Sequence, residues 1–161
     1  MTDTSGSNAL IKELTSLLKK GNAHVTFNEA IKNIPFEDLG KITGNLPYSL
    51  WQITEHIRIT QKDILDFSVN KNYKELNWPD DYWPKDAAPK NEEAWKKCIQ
   101  SIDNDLNNFI ELLNTSEDIF TPFKHGKGQN LLREAMLMAD HTSYHTGEII
   151  IVRRLLGNWK K

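Results

Sequence analysis

Apolar residues recur every three or four positions along most of the chain, in runs separated by polar or proline-rich joints. Leu10, Leu14, Leu17 and Leu18 mark a first amphipathic helix that ends at Gly21 and Asn22. Thr26 and Glu29 form a capping box opening a short second piece through about Asn33, which Pro35 stops. Ser49 and Gln52 form another box, and the helix they open runs to about Ser68 with Leu50, Ile53, Ile57, Ile64 and Phe67 as its stripe. Asn91, with Glu92 and Glu93 behind it, starts a helix striped by Trp95, Cys98, Ile102, Leu106, Phe109 and Leu113. Its other face, with Lys96, Lys97, Asp103, Asn104, Asp105 and Asn107, reads as solvated. The last run covers 130–156, where Leu131, Ala135, Met138, His145, Ile149, Val152 and Leu156 share a face. Asn130 is its N-cap, Glu134 lies in its first turn, Arg153 and Arg154 in its last, and Gly157 closes it.

Periodicity disappears over 69–90, where Tyr73, Trp78, Tyr82 and Trp83 are interleaved with Pro79, Pro84 and Pro89. So many aromatics carry too much apolar surface to stay solvated, so the segment is expected to be an ordered strap. It serves either as a plug anchoring a crossover over a bundle end or as a lid on a substrate. Residues 115–129 form a second joint containing His125, Pro122, Gly126 and Gly128. The glycine spacing matches neither the P-loop nor the dinucleotide fingerprint, which leaves a flexible turn. No run alternates with a strand period. The pattern predicts an all-α protein: a four-helix bundle with one broken helix and one long crossover.

At 161 residues the chain is expected to be a single domain, preceded by a polar tail over 1–7. Its net charge of -2 gives no electrostatic footprint for nucleic acid or an anionic membrane. No apolar run is long enough to span a bilayer, and the N-terminus lacks a signal-like core, so a cytoplasmic location is expected. Cys98 is the lone cysteine, which excludes an internal disulfide or a thiolate cluster and leaves it a packing role.

Candidate chemistry concentrates in the last helix. His141 and His145 are four residues apart, so both imidazoles leave one helical face and can reach a single ion, and Glu148 completes that face. Two ligands are too few. In a bundle a third can come from a facing helix, and His56, beside the stripe of its own helix, is the candidate, although a lone histidine there reads first as a core or boundary residue. Three imidazoles would leave coordination positions open, as in catalytic sites, and nitrogen ligation suits Zn, Ni, Cu or Fe. The competing reading is a metal-free bundle whose histidines are hydrogen-bonded core residues. His24 falls in the joint after the first helix and His125 in the loop before the last, and neither is assigned to the site.

The stretch Leu-Pro-Tyr-Ser-Leu-Trp-Gln-Ile-Thr-Glu-His-Ile-Arg (46–58), followed by Leu-Leu-Arg-Glu-Ala (131–135) and Ala-Asp-His-Thr-Ser-Tyr-His-Thr-Gly-Glu-Ile (139–149), resembles the DinB superfamily of DinB/YfiT-like metalloprotein bundles. The resemblance implies up-down-down-up topology, a homodimer, and a divalent metal held by His56, His141 and His145, with Zn or Ni ahead of Fe or Mn. Glu148 stands where similar proteins often carry Gln, and is expected either to orient a ligand or to act catalytically as a proton-transfer group. Members with known activity include bacillithiol S-transferases and mycothiol-dependent isomerases. That implies an enzyme acting on a small molecule through an activated low-molecular-weight thiol, with hydrolysis through activated water second. The alternative is a non-catalytic bundle that binds a ligand or partner, its metal incidental or structural.

Overall fold

The computed structural model describes residues 4–159. Its long helices are α1 (Thr4–Lys20), α3 (Leu50–Val69), α4 (Glu92–Thr115) and α5 (Leu131–Leu155), with a short α2 (Phe27–Ile31) between the first two. No described residue is in a strand. Helix α1 begins inside the stretch expected to be a tail, so Thr4 to Ser7 are helical, while residues 1–3 lie outside the described residues.

Local chemistry sets the ends. The side chains of Thr26 and Ser49 each accept the amide of the residue three on, and Glu29 and Gln52 reciprocate, so both capping boxes form. Asn91 and Asn130 cap α4 and α5 through their side-chain oxygens. Helix α1 stops because Gly21 and Asn22 turn left-handed, with φ of 63° and 47°. The helix is therefore broken ahead of His24. A Cβ on Gly21 would lie 2.9 Å from Cε1 of the His24 ring, so this glycine also makes room for that ring.

Pairwise contacts give the directions. Trp51 meets Trp95 and Gln61 meets Ile102, so α3 and α4 run parallel. His56 meets His141 and His145 near one end, while Phe67 at the other end meets His125 just before α5, so α3 and α5 are antiparallel. His24 reaches Ser143 and Ala30 reaches Arg153, so the first arm runs parallel to α5; Asn28 reaches Asp103 while Leu14 packs near Phe109, so it opposes α4. The bundle is up-down-down-up. Parallel α3 and α4 require the chain to travel back along its length, which the 70–91 crossover does.

The core divides into two apolar clusters. One contains Leu14, Ile64, Phe109, Leu113, Leu131 and Met138; the other contains Ala30, Leu50, Ile57, Ile102, Ile149 and Val152. Fully buried side chains such as Phe109 and Leu113 each stabilise the fold by about 2–3 kcal/mol. Between the clusters lies a belt of buried polar groups that includes Gln61, His145 and Thr146.

Two expectations change in this packing. The polar face of α4 is not wholly solvated: Asp103 and Asp105 are half-buried, and burial raises the Asp105 carboxyl above its ordinary range. Arg153, read from the sequence as a last-turn cation, is buried and donates to the Ala30 carbonyl at 2.5 Å and to Asn158 Oδ1 and its carbonyl at 3.0 and 2.9 Å, with Trp159 under its guanidinium.

Candidate metal centre

His56 sits in the second turn of α3, buried, and faces His141 and His145 in the middle of α5. The three rings close a triangle with centroids 4.8, 4.6 and 4.4 Å apart. One nitrogen from each lies within 4.8 Å of the others, and the Nε2 atoms of His56 and His141 are 3.0 Å apart. Nitrogens bound at about 2.0–2.1 Å to one tetrahedral ion are separated by about 3.4 Å, so small ring rotations suffice to fit one.

The outward nitrogens are already committed. His56 Nδ1–H donates to the Tyr82 carbonyl at 2.9 Å, and His145 Nδ1–H donates to Glu148 Oε2 at 2.6 Å. In a neutral ring each bond selects the tautomer whose lone pair is on Nε2, which is how ligating histidines are normally held. Burial lowers the His56 pKa, and burial together with its two neighbours pulls His141 down to about 3. Neutral imidazoles are the form a cation needs. The donor set therefore fits a divalent metal.

The crossover completes the site. Going down α3 from its N-terminus, Ser49 Oγ donates to the Ala87 carbonyl at 2.5 Å, Gln52 Nε2 to Pro84 at 3.1 Å, and His56 to Tyr82. Further along, Asp63 accepts the hydroxyls of Tyr82 at 2.7 Å and Tyr73 at 2.8 Å. The segment thus lies antiparallel along α3, pinned at successive turns, and does not close a bundle end. Trp83 stacks on His56 at 3.9 Å and on Tyr48 at 3.7 Å, in planes within 10° of each other. The strap reaches the candidate ligands directly. Solvent reaches the site past half-buried His141 and Glu148, beside exposed Tyr144, whose ring meets His145 edge-on at 4.9 Å.

A model of the DinB family matches residues 8–160. The chain belongs to the DinB family. No curated protein and no solved structure matches it. In this DinB protein the two motif regions that carry the resemblance, around His56 and around His141 and His145, are the ones the bundle brings together.

The remaining histidines of this DinB protein lie elsewhere. His125 Nε2 bonds the Phe67 carbonyl at 2.8 Å and ties the last loop to the end of α3, while His24 pairs with Ser143. Cys98 is buried, and burial raises its thiol pKa, so it stays protonated and packs. Sequence reasoning did not single out Asp63, Tyr48 or the Tyr82 carbonyl as supports. The aromatic density of the strap was the available signal for Tyr82 and Trp83, and Asp63 follows His56 by seven residues on the same face of α3. No helix of the described residues is long and apolar enough to cross a membrane.

Proposed function

We propose that this DinB protein is a metal-dependent enzyme acting on a small molecule, with His56, His141 and His145 as the metal ligands. One observation carries the reading: two of three converging imidazoles have their outer nitrogens held by a carbonyl and a carboxylate, and the inner nitrogens of all three turn toward one point. A divalent ion there, Zn or Ni first and Fe or Mn next, supplies Lewis acidity that lowers the pKa of a thiol or water. Three protein ligands leave room for one.

The chain's own groups then have distinct tasks. Tyr82 and Trp83 hold the His56 ring in place and keep water from its buried face. Glu148 orients His145 through Oε2, and its other oxygen, which takes no hydrogen bond from a described residue, would accept the proton of the nucleophile. Thiol transfer is the first reading, on the family's known chemistry, and hydrolysis the second. Metal-loaded protein is expected to consume a low-molecular-weight thiol with monochlorobimane, and His141→Ala to fall to the uncatalysed background. Product release from ester substrates without any thiol would favour hydrolysis. Inactivity in both assays would leave a ligand-binding bundle.

A homodimer is part of this reading. Leu137, Tyr144, Ile151 and Leu155 expose an apolar stripe along α5, and Gly147 lies within it. Glycine in a helix interior costs about 1 kcal/mol relative to alanine, yet nothing described comes within 4 Å of the Cβ it lacks. Close passage of a second α5 would account for it. Ile151→Glu is expected to turn a dimer into a monomer in sedimentation velocity, and a monomeric wild type would remove the dimer.

A further inference from the structure

The break between α1 and α2 opens a second site. A cavity of about 340 Å³ lies between α1, α4 and α5, and none of the three candidate metal ligands lines it. Helix α5 contributes Ala139, Thr142, Ser143 and Thr146 to its wall. At 3.6 residues per turn these sit roughly 140° around the helix from the His141 and His145 face. The two sites therefore share one helix and use different sides of it.

The cavity is walled mainly by apolar side chains, among them Leu18, Phe27, Ile102 and Leu106, with Thr142, Ser143 and Thr146 along α5, and a buried amide marks one inner point. That point is Gln61, 3% exposed, in the belt between the two apolar clusters. Its Nε2 donates at 2.6 Å to the Ile102 carbonyl, which settles the amide's orientation. Oε1 accepts no hydrogen bond from any described residue, and Gln61 is part of the cavity lining. A polar atom facing an apolar enclosure is costly unless something donates to it.

The rim is fastened rather than open. His24 Nδ1–H donates to the Val25 carbonyl at 2.8 Å, leaving Nε2 to accept the Ser143 hydroxyl at 2.9 Å. Asn28 Nδ2 donates to Asp103 at 3.3 Å. The joint and α2 are thus tied to α5 on one side and α4 on the other, roofing the cavity. Of the charged residues that line it, Lys19 and Asp140 are exposed at the rim, and the half-buried Asp103 carboxylate is engaged by Asn28.

We propose that this cavity binds a small uncharged molecule with an apolar body and one hydrogen-bond donor, an alcohol or phenol, whose donor meets Gln61 Oε1. The proposal is independent of the metal reading. The test uses 2-naphthol and naphthalene, titrated by fluorescence against wild type, Gln61→Met, Ala139→Met and His56→Ala, with amide shifts of the labelled full chain locating the probe.

Wild type is expected to bind 2-naphthol saturably and about tenfold more tightly than naphthalene, the usual worth of one hydrogen bond. Gln61→Met should erase that preference while keeping naphthalene, Ala139→Met should block both by filling the cavity, and His56→Ala should change neither. Shifts should cluster at the α1–α2 joint and the middle of α5. Absence of saturable binding, a preference that survives Gln61→Met, shifts confined to other surfaces, or undiminished binding to folded Ala139→Met would each overturn it. The last arm decides the matter even if Gln61→Met fails to fold.

Discussion

Elemental analysis of untagged protein is expected to find about one divalent ion per chain in wild type and little in His56→Ala or His145→Ala. Removing either imidazole leaves two donors, below what holds a catalytic ion, and strands its outer partner. In His56→Ala the Tyr82 carbonyl loses its donor, and in His145→Ala the Glu148 carboxylate loses its own. Lost buried hydrogen bonds cost about 1–3 kcal/mol each, which a bundle with two apolar clusters is expected to survive. Circular dichroism on each variant checks that. Wild type that carries no metal and takes up neither Zn nor Ni on addition would sink the metalloenzyme reading, leaving three core histidines.

Trp83→Ala is expected to lower stability by about 3 kcal/mol and to weaken metal binding by about 10–100-fold. The stability loss follows from a half-buried indole stacked on two rings. The affinity loss follows from mechanics: the indole and the neighbouring Tyr82 carbonyl together hold His56, so loosening one frees the ring to rotate away from His141. Urea unfolding gives the first quantity, and competition with a chromophoric chelator gives the second. Unchanged metal affinity in a folded variant would show that Trp83 only packs.

Much of this architecture is legible in the sequence because the determinants are local. Ser49 with Gln52, Thr26 with Glu29, Asn91 and Asn130 act within a few residues of themselves, and each forms the cap its spacing predicts. The histidine cluster is legible for a related reason: an i, i+4 pair is fixed by the helix, and a bundle leaves few places for its third partner. What was not legible depends on partners far along the chain. Arg153 answers the Ala30 carbonyl across 123 residues, and Ser143 meets His24 across 119. Glu134 looked like a helix-start acid but is buried against Arg133, with burial raising its pKa. Gln61 did leave a trace, a polar residue between Ile57 and Ile64 on an otherwise apolar stripe.

The polar belt between the two apolar clusters has a thermodynamic consequence. Each end of the bundle can hold itself together by burial, whereas the middle depends on specific partners for Gln61, Thr146 and the histidines. Amides in the middle turns of α5 are therefore expected to exchange with solvent through smaller openings than those near Ala135 or Ile149, inside the two clusters. A ligand on either side of α5 would add its binding free energy at this least protected stretch, so occupancy would register first as slowed exchange there. Hydrogen exchange at the waist of the bundle thus reports on both sites at once, and which face is occupied can be told from whether His56→Ala abolishes the protection.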